Sequence, residues 1–175
     1  MSLVPYLQIV AKGQERGRSL TLNEAQLAME EMLNRTAAPE TLGAFLMVLR
    51  FRGETADEIA GFTSALRRST EWMHGQFDLD WPCYAAGRTR GAPLFLLAAR
   101  LVAQAGYRVV LHGRNSHQAG HASVRAVISQ LGIEENNPDA GLCYFPLEDL
   151  SAPAFDLLNL RDKFGLRSCI NTVLR

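Results

Sequence analysis

Two polar, glycine-containing segments hold the residue types in this sequence that are best suited to chemistry. The first is Ala86-Gly87-Arg88-Thr89-Arg90-Gly91, and the second is His112-Gly113-Arg114-Asn115-Ser116. Each follows an apolar run with the alternation of a strand and precedes a run with helical spacing. Between them they offer three guanidinium groups, glycines that let a ligand come close to the backbone, and hydroxyl, amide and imidazole hydrogen-bonding groups. Planar arginine forks match phosphate oxygens. Backbone N–H groups at a helix start carry partial positive charge. Gly87, Arg88, Thr89, Arg90, Gly91, His112, Gly113, Arg114, Asn115 and Ser116 therefore form a candidate phosphate site. The same residues also suit a plain turn with solvated arginines. His117 and His121 stand four apart, as two ligands on one helix face would, but no carboxylate or cysteine accompanies them, so no metal ligand set is assigned. No nucleophile elbow or Walker loop is present, and no residue is read as catalytic.

These segments need strands to end them and helices to begin after them. Phe77 to Ala86 and Tyr107-Arg-Val-Val-Leu-His112 read as strands, and a short strand is expected around Leu142 to Phe145. Helices are expected from Leu94 to Ala105 behind Pro93, from about Ala122 to Leu131, and from Ala154 to Phe164. Strand–helix alternation of this kind predicts a mainly parallel sheet, whose ligands lie at the carboxyl ends of its strands.

The residues before 75 read differently. Thr21-Leu-Asn-Glu24 and Thr55-Ala-Asp-Glu58 are capping boxes, and Pro39 suits a first helical turn. Apolar spacing puts Leu3, Tyr6, Leu7 and Val10 on one helix face. Ala25, Ala28, Met29, Met32 and Leu33 share a second, Phe45, Leu46 and Leu49 a third, and Ile59, Phe62 and Leu66 a fourth. Four helices and no strand are expected there. The predicted organisation is a helical domain over 1–75 and a partial α/β domain over 76–175.

With 175 residues, 47 % hydrophobic and 21 % charged, the chain is long enough for a packed core and too apolar for disorder. The apolar stretches at 92–103 and 41–51 are short and carry arginine, so no membrane span is expected. The N-terminal sequence lacks the order of a signal peptide. Cys83, Cys143 and Cys169 are scattered and odd in number, which reads as reduced thiols in a cytoplasmic protein. Formal charge is balanced at 18 basic against 18 acidic residues. The balance is uneven along the chain: from Trp81 to Ile133 there are six arginines (88, 90, 100, 108, 114 and 125) and no acid. That stretch points to a phosphate-bearing partner.

The runs Leu20 to Leu33 and Gly43 to Gly61, with His112-Gly-Arg-Asn-Ser116 and Leu160-Arg-Asp-Lys-Phe-Gly-Leu-Arg167, resemble the anthranilate phosphoribosyltransferase family, glycosyltransferase family 3. The resemblance spans about residues 3–171. It implies a fold of the nucleoside phosphorylase and phosphoribosyltransferase kind, α+α/β: an N-terminal helical domain, then a truncated α/β domain with a mainly parallel sheet, dimerising through the helices. It also implies that Arg161 aligns with the family's anthranilate-contacting arginine, as a remnant of an acceptor site. Active members hold phosphoribosyl pyrophosphate and magnesium with a Gly-Thr-Gly-Gly-Asp loop and a following Asn-x-Ser-Thr. This sequence has Ala86-Gly-Arg-Thr-Arg-Gly91 and then Ala92-Pro-Leu-Phe95 there, without the acid, most of the glycines or the hydroxyls. The altered loop is similar to that of a divergent, nucleic-acid-binding branch. The leading expectation is a catalytically degenerate, cofactor-free homodimer that binds nucleic acid or another phosphate polyanion. The alternative is a phosphoribosyltransferase using magnesium and phosphoribosyl pyrophosphate on anthranilate or a related aromatic amine. Because the family's α/β domain runs on beyond the length seen here, a shortened fragment that pairs through an exposed sheet edge or through the helices is also expected.

Overall fold

The structure is a computed structural model, and it describes residues 2–13, 16–70, 77–83, 93–114 and 124–174. It divides into two compact units, one comprising Met1–Ser69 with Pro153–Leu174 and the other centred on Thr70–Ala152.

The first unit is helical, and its described residues before 70 form α1 (Val4–Ala11), α2 (Leu22–Leu33), α3 (Pro39–Arg52) and α4 (Ala56–Ser69). Both capping boxes form. Thr21 Oγ1 accepts from the Glu24 N–H at 3.3 Å, while a Glu24 carboxylate oxygen accepts from the Thr21 N–H at 2.9 Å. The Arg18 guanidinium donates twice to the same carboxylate at 2.7 Å and is the main reason that its pKa falls to about 2. All the expected inner residues of α2 and α3 are buried, as are Phe62 and Leu66 of α4.

The second box does more than cap. Glu58 has no exposed surface at all. Its carboxylate accepts from the Thr55 N–H at 2.8 Å, closing the start of α4, and from the Leu20 N–H at 2.9 Å, holding the chain that enters α2. It also pairs with the Arg52 guanidinium at the end of α3. One side chain thus ties three helix ends together. Beside it, Gly61 lets α4 press against α2: a Cβ there would lie 2.3 Å from the Leu22 carbonyl oxygen.

The C-terminal segment departs from the expected division. Residues 153–174 carry most of α8 (Ala152–Phe164) and α9 (Ile170–Val173) and cluster with the helical unit, rather than completing a single α/β domain over 76–175. The buried faces of these helices find their partners there; Phe164, for example, lies against Gly43 of α3.

The second unit is built on a four-stranded sheet in the order β1-β2-β4-β3, parallel throughout. Its elements are β1 (Leu79–Pro82), α5 (Phe95–Gln104), β2 (Val109–Gly113), α6 (Val124–Val127), β3 (Glu134–Glu135), β4 (Leu142–Pro146) and α7 (Leu147–Leu150). The helix expected over 122–131 is shorter: after α6 the chain tightens into a 3₁₀ turn at Ser129–Leu131, and Gly132 ends it in the left-handed region at φ 63°. On one sheet face Val109, Leu111, Tyr144 and Cys83 pack with Leu96 and Ala99 of α5 and Val124 of α6. On the other, Val110, Cys143 and Phe145 form a smaller cluster with Phe77 and Leu150.

Truncating Glu58 would remove the acceptor shared by the partly buried Arg52 guanidinium, the buried Leu20 N–H and the Thr55 N–H. Glu58→Ala is expected to lower the stability of the helical unit by about 3–5 kcal/mol, and Glu58→Gln by less. Denaturant unfolding followed by circular dichroism measures this; a loss below about 1 kcal/mol for the alanine variant would contradict the assigned role.

Candidate phosphate site at the carboxyl edge of the sheet

The pairing of β1 with β2 fixes the geometry of the candidate site. Leu79 pairs with Val109 and Pro82 with His112, without offset. Ladder pairing continues one residue further, where the Cys83 N–H donates to the His112 carbonyl at 2.6 Å. The strands are parallel, so the chain leaves both of them at the same edge of the sheet. The segments after Cys83 and after Gly113 therefore start side by side, and β4 ends there too, with Pro146 opposite Gly113.

At this edge the described part of the site is His112, Gly113 and Arg114. His112 Nε2 lies 2.6 Å from Asp80 Oδ1, on the neighbouring strand and the same face of the sheet. From beneath, the buried Tyr144 of β4 donates its hydroxyl to the Gly113 carbonyl at 3.0 Å. Burial pushes that phenol above its ordinary pKa, so it remains a donor across the physiological range. Arg114 follows, half-buried, as the first residue beyond β2. Gly87, Arg88, Thr89, Arg90, Gly91, Asn115 and Ser116 lie outside the described residues, as do His117 and His121. Arg161 stands on α8, in the helical unit.

Two residues of this edge escape a reading of the sequence. Asp80 lies one position before the stretch that contains no acid, and only the strand register brings it beside His112. Tyr144 belongs to an expected strand, but nothing in one dimension links it to Gly113.

The four described arginines of the stretch, Arg100, Arg108, Arg114 and Arg125, do not form one charged surface. Arg125 is held by two acids from outside the stretch, pairing with Glu135 and, at 3.0 Å, with Glu148. Arg108 precedes β2, at the opposite edge of the sheet, where it donates to the Pro138 carbonyl at 2.7 Å and covers the Phe77 ring 5.3 Å from its centroid. Arg100 is exposed on α5. Linear charge counting overstates the positive field, because folding returns acids to Arg125 and turns Arg108 onto a carbonyl and a ring.

All three cysteines are buried and free of disulfides. Burial raises Cys83 to about 12 and Cys143 to about 11, so neither is a ready thiolate. Among the described residues no group of three or more His, Cys, Asp or Glu is placed to hold a metal, and no helix is long and apolar enough to cross a membrane.

Comparison with known proteins agrees with this architecture. The helical bundle domain of the glycosyl transferase family matches residues 4–70. Anthranilate phosphoribosyltransferase of Methylobacterium nodulans is 32 % identical over 98 % of this chain and 52 % of its own. The enzyme of that name from Rhizobium rhizogenes is 37 % identical over 75 % of this chain and 38 % of its own. The chain spans about half the length of the curated relatives it matches. Among solved structures, anthranilate phosphoribosyltransferase from Thermus thermophilus has the same fold, with a TM-score of 0.76 at 22 % identity over 99 % of this chain and 54 % of that one. The Saccharomyces cerevisiae enzyme aligns with a TM-score of 0.60 at 17 % identity, over 98 % of this chain and 51 % of that one. A helical bundle joined to a parallel α/β sheet is thus a phosphoribosyltransferase-type architecture. The chain belongs to glycosyltransferase family 3, the anthranilate phosphoribosyltransferase family.

Removing the Tyr144 hydroxyl would leave the Gly113 carbonyl buried without that donor. Tyr144→Phe is expected to cost about 1–3 kcal/mol and to speed amide exchange at Gly113 and Arg114. Hydrogen exchange read by NMR tests this; unchanged exchange at both residues would show that Tyr144 does not hold the end of β2.

Proposed function

We propose that this chain carries the phosphate-binding side of an anthranilate phosphoribosyltransferase-type centre. Its ligand would be phosphoribosyl pyrophosphate, and its acceptor anthranilate or a related aromatic amine. The observation that carries the reading is the unshifted parallel pairing of β1 and β2, which starts both polar segments from one sheet edge. The names of the relatives support it independently.

In such a transfer the bond between the ribose anomeric carbon and the diphosphate oxygen breaks, and a bond from that carbon to the amine nitrogen forms. Negative charge grows on the leaving diphosphate, and fixed cationic and N–H donors aimed at it lower the barrier. Arg88, Arg90 and Arg114 are assigned that role, with Gly87, Thr89, Gly91, His112, Gly113, Asn115 and Ser116 as the surrounding backbone and side-chain partners. Arg161 is assigned to the acceptor carboxylate. Magnesium would need several oxygen ligands. Among the described residues near this edge the carboxylates of Asp80, Glu148 and Asp149 are already engaged by His112, Arg125 and Asn136, so this donor set does not fit the ion and no step is derived through it. A cytoplasmic location and a homodimer formed through the helical unit complete the proposal.

A second reading rests on one specific feature. Arg88 and Arg90 stand in Ala86-Gly-Arg-Thr-Arg-Gly91 where the resembled family has the glycine-rich Gly-Thr-Gly-Gly-Asp loop. Bulky cationic side chains there suit successive phosphates of a nucleic acid, in a protein that has lost catalysis.

Calorimetric titration with phosphoribosyl pyrophosphate and magnesium, with anthranilate consumption followed by fluorescence, separates the two. Saturable binding, weakened at least about tenfold in an Arg88/Arg90/Arg114 triple-alanine variant, supports the transferase reading. No binding of this ligand, together with strongly salt-dependent DNA binding that the triple variant loses, would replace it with the second.

A further inference from the structure

We propose that Asp80 is a positioning residue of this site, acting on the ligand only through the imidazole of His112. This rests on the assignment of the carboxyl edge as the ligand site. Asp80 lies in β1 opposite Val110, so it projects from the same sheet face as Val110 and His112. Its Oδ1 meets His112 Nε2 at 2.6 Å. The His112 side chain retains 20 % of its exposure and Asp80 retains 58 %, so a carboxylate on the solvent side holds a ring that is itself mostly covered.

A carboxylate is an acceptor, so the nitrogen it meets must carry the proton. A neutral imidazole has one N–H. Fixing it on Nε2 leaves Nδ1 with the lone pair and makes it the ring's acceptor. Asp80 therefore sets both the ring's angle and its tautomer. The ligand group such a nitrogen takes is a hydrogen-bond donor, for which a ribose hydroxyl is suited, while Arg114, two residues on, addresses negative charge. One strand end thus presents an acceptor and a cation in fixed order, the pattern a phosphorylated sugar requires.

No acid lies from Trp81 to Ile133, so Asp80 is the carboxylate that immediately precedes both polar segments. Placed in the edge strand and bound to the far nitrogen of a histidine, the same charge orients a donor–acceptor group without facing the ligand itself.

The test compares wild type with Asp80→Ala, a change at an exposed side chain that leaves the apolar faces of the sheet intact. Long-range nitrogen–proton NMR of His112 in the free protein reads the tautomer directly. In wild type the neutral ring is expected to carry its proton on Nε2; in Asp80→Ala the two nitrogen resonances move toward each other as both tautomers populate. Titration with phosphoribosyl pyrophosphate and magnesium is expected to show roughly tenfold weaker binding in the variant, at an unchanged thermal midpoint. His112 nitrogen shifts that do not move in Asp80→Ala would overturn the proposal, as would a changed tautomer with unchanged affinity. If wild type binds no phosphoribosyl pyrophosphate while the tautomer still responds, the ligand reading fails and the hold of Asp80 on His112 stands.

Discussion

The unshifted parallel pairing of β1 with β2 is the constraint on which the candidate site depends. Side chains alternate along both strands, so an even register sorts them. Leu79, Trp81 and Cys83 fall with Val109 and Leu111 on the face that α5 and α6 cover. Asp80 falls with Val110 and His112 on the other. A slip of one residue would bury Asp80 under α5 and separate it from the imidazole. The same pairing makes two strand ends coincide, and so forms the proposed ligand edge from segments some thirty residues apart. Tyr144 then secures β2 from the third strand, through the Gly113 carbonyl. The sheet positions the candidate site, and the polar segments beyond its strand ends are the residues proposed to carry the chemistry.

The helical unit is organised by a different interaction. The fully buried Glu58 closes its own helix, holds the entry to α2 and meets Arg52 at the end of α3. A buried ion pair is weak evidence of net stability, because desolvating two charges offsets much of their attraction. Its clearer consequence is specificity. The observed arrangement brings three helix ends to that carboxylate at once, and Gly61 allows α2 and α4 to approach closely beside it.

Much of this is legible in one dimension. The capping boxes, apolar helix faces and main strands follow from local spacing that tertiary packing then reinforces. The second box reads as a cap alone, since a Thr-x-x-Glu pattern does not reveal that its glutamate will be sealed beneath Leu20. β3 is Glu134–Glu135, two charged residues with no alternation to detect, and it exists because β4 offers an open edge. α8 resembles any helix that comes after a strand, and only its buried face decides that it joins the helical unit. The charge pattern is legible as a count and misleading as a field. Arg125 and Arg108 are occupied by partners distant in sequence, while the acid that matters to His112 lies one residue outside the acid-free stretch. Long-range pairing carries this information, and spacing does not.

The central claim is that the carboxyl edge of β1 and β2 takes a phosphorylated sugar. The most direct test is to map amide chemical-shift changes across the whole chain during addition of phosphoribosyl pyrophosphate and magnesium. Saturable changes concentrated at residues 84–92 and 112–116, with Asp80 changing alongside His112, are the predicted result. Changes confined to the helical unit, or spread over surface arginines such as Arg100 with no preference for that edge, would contradict it.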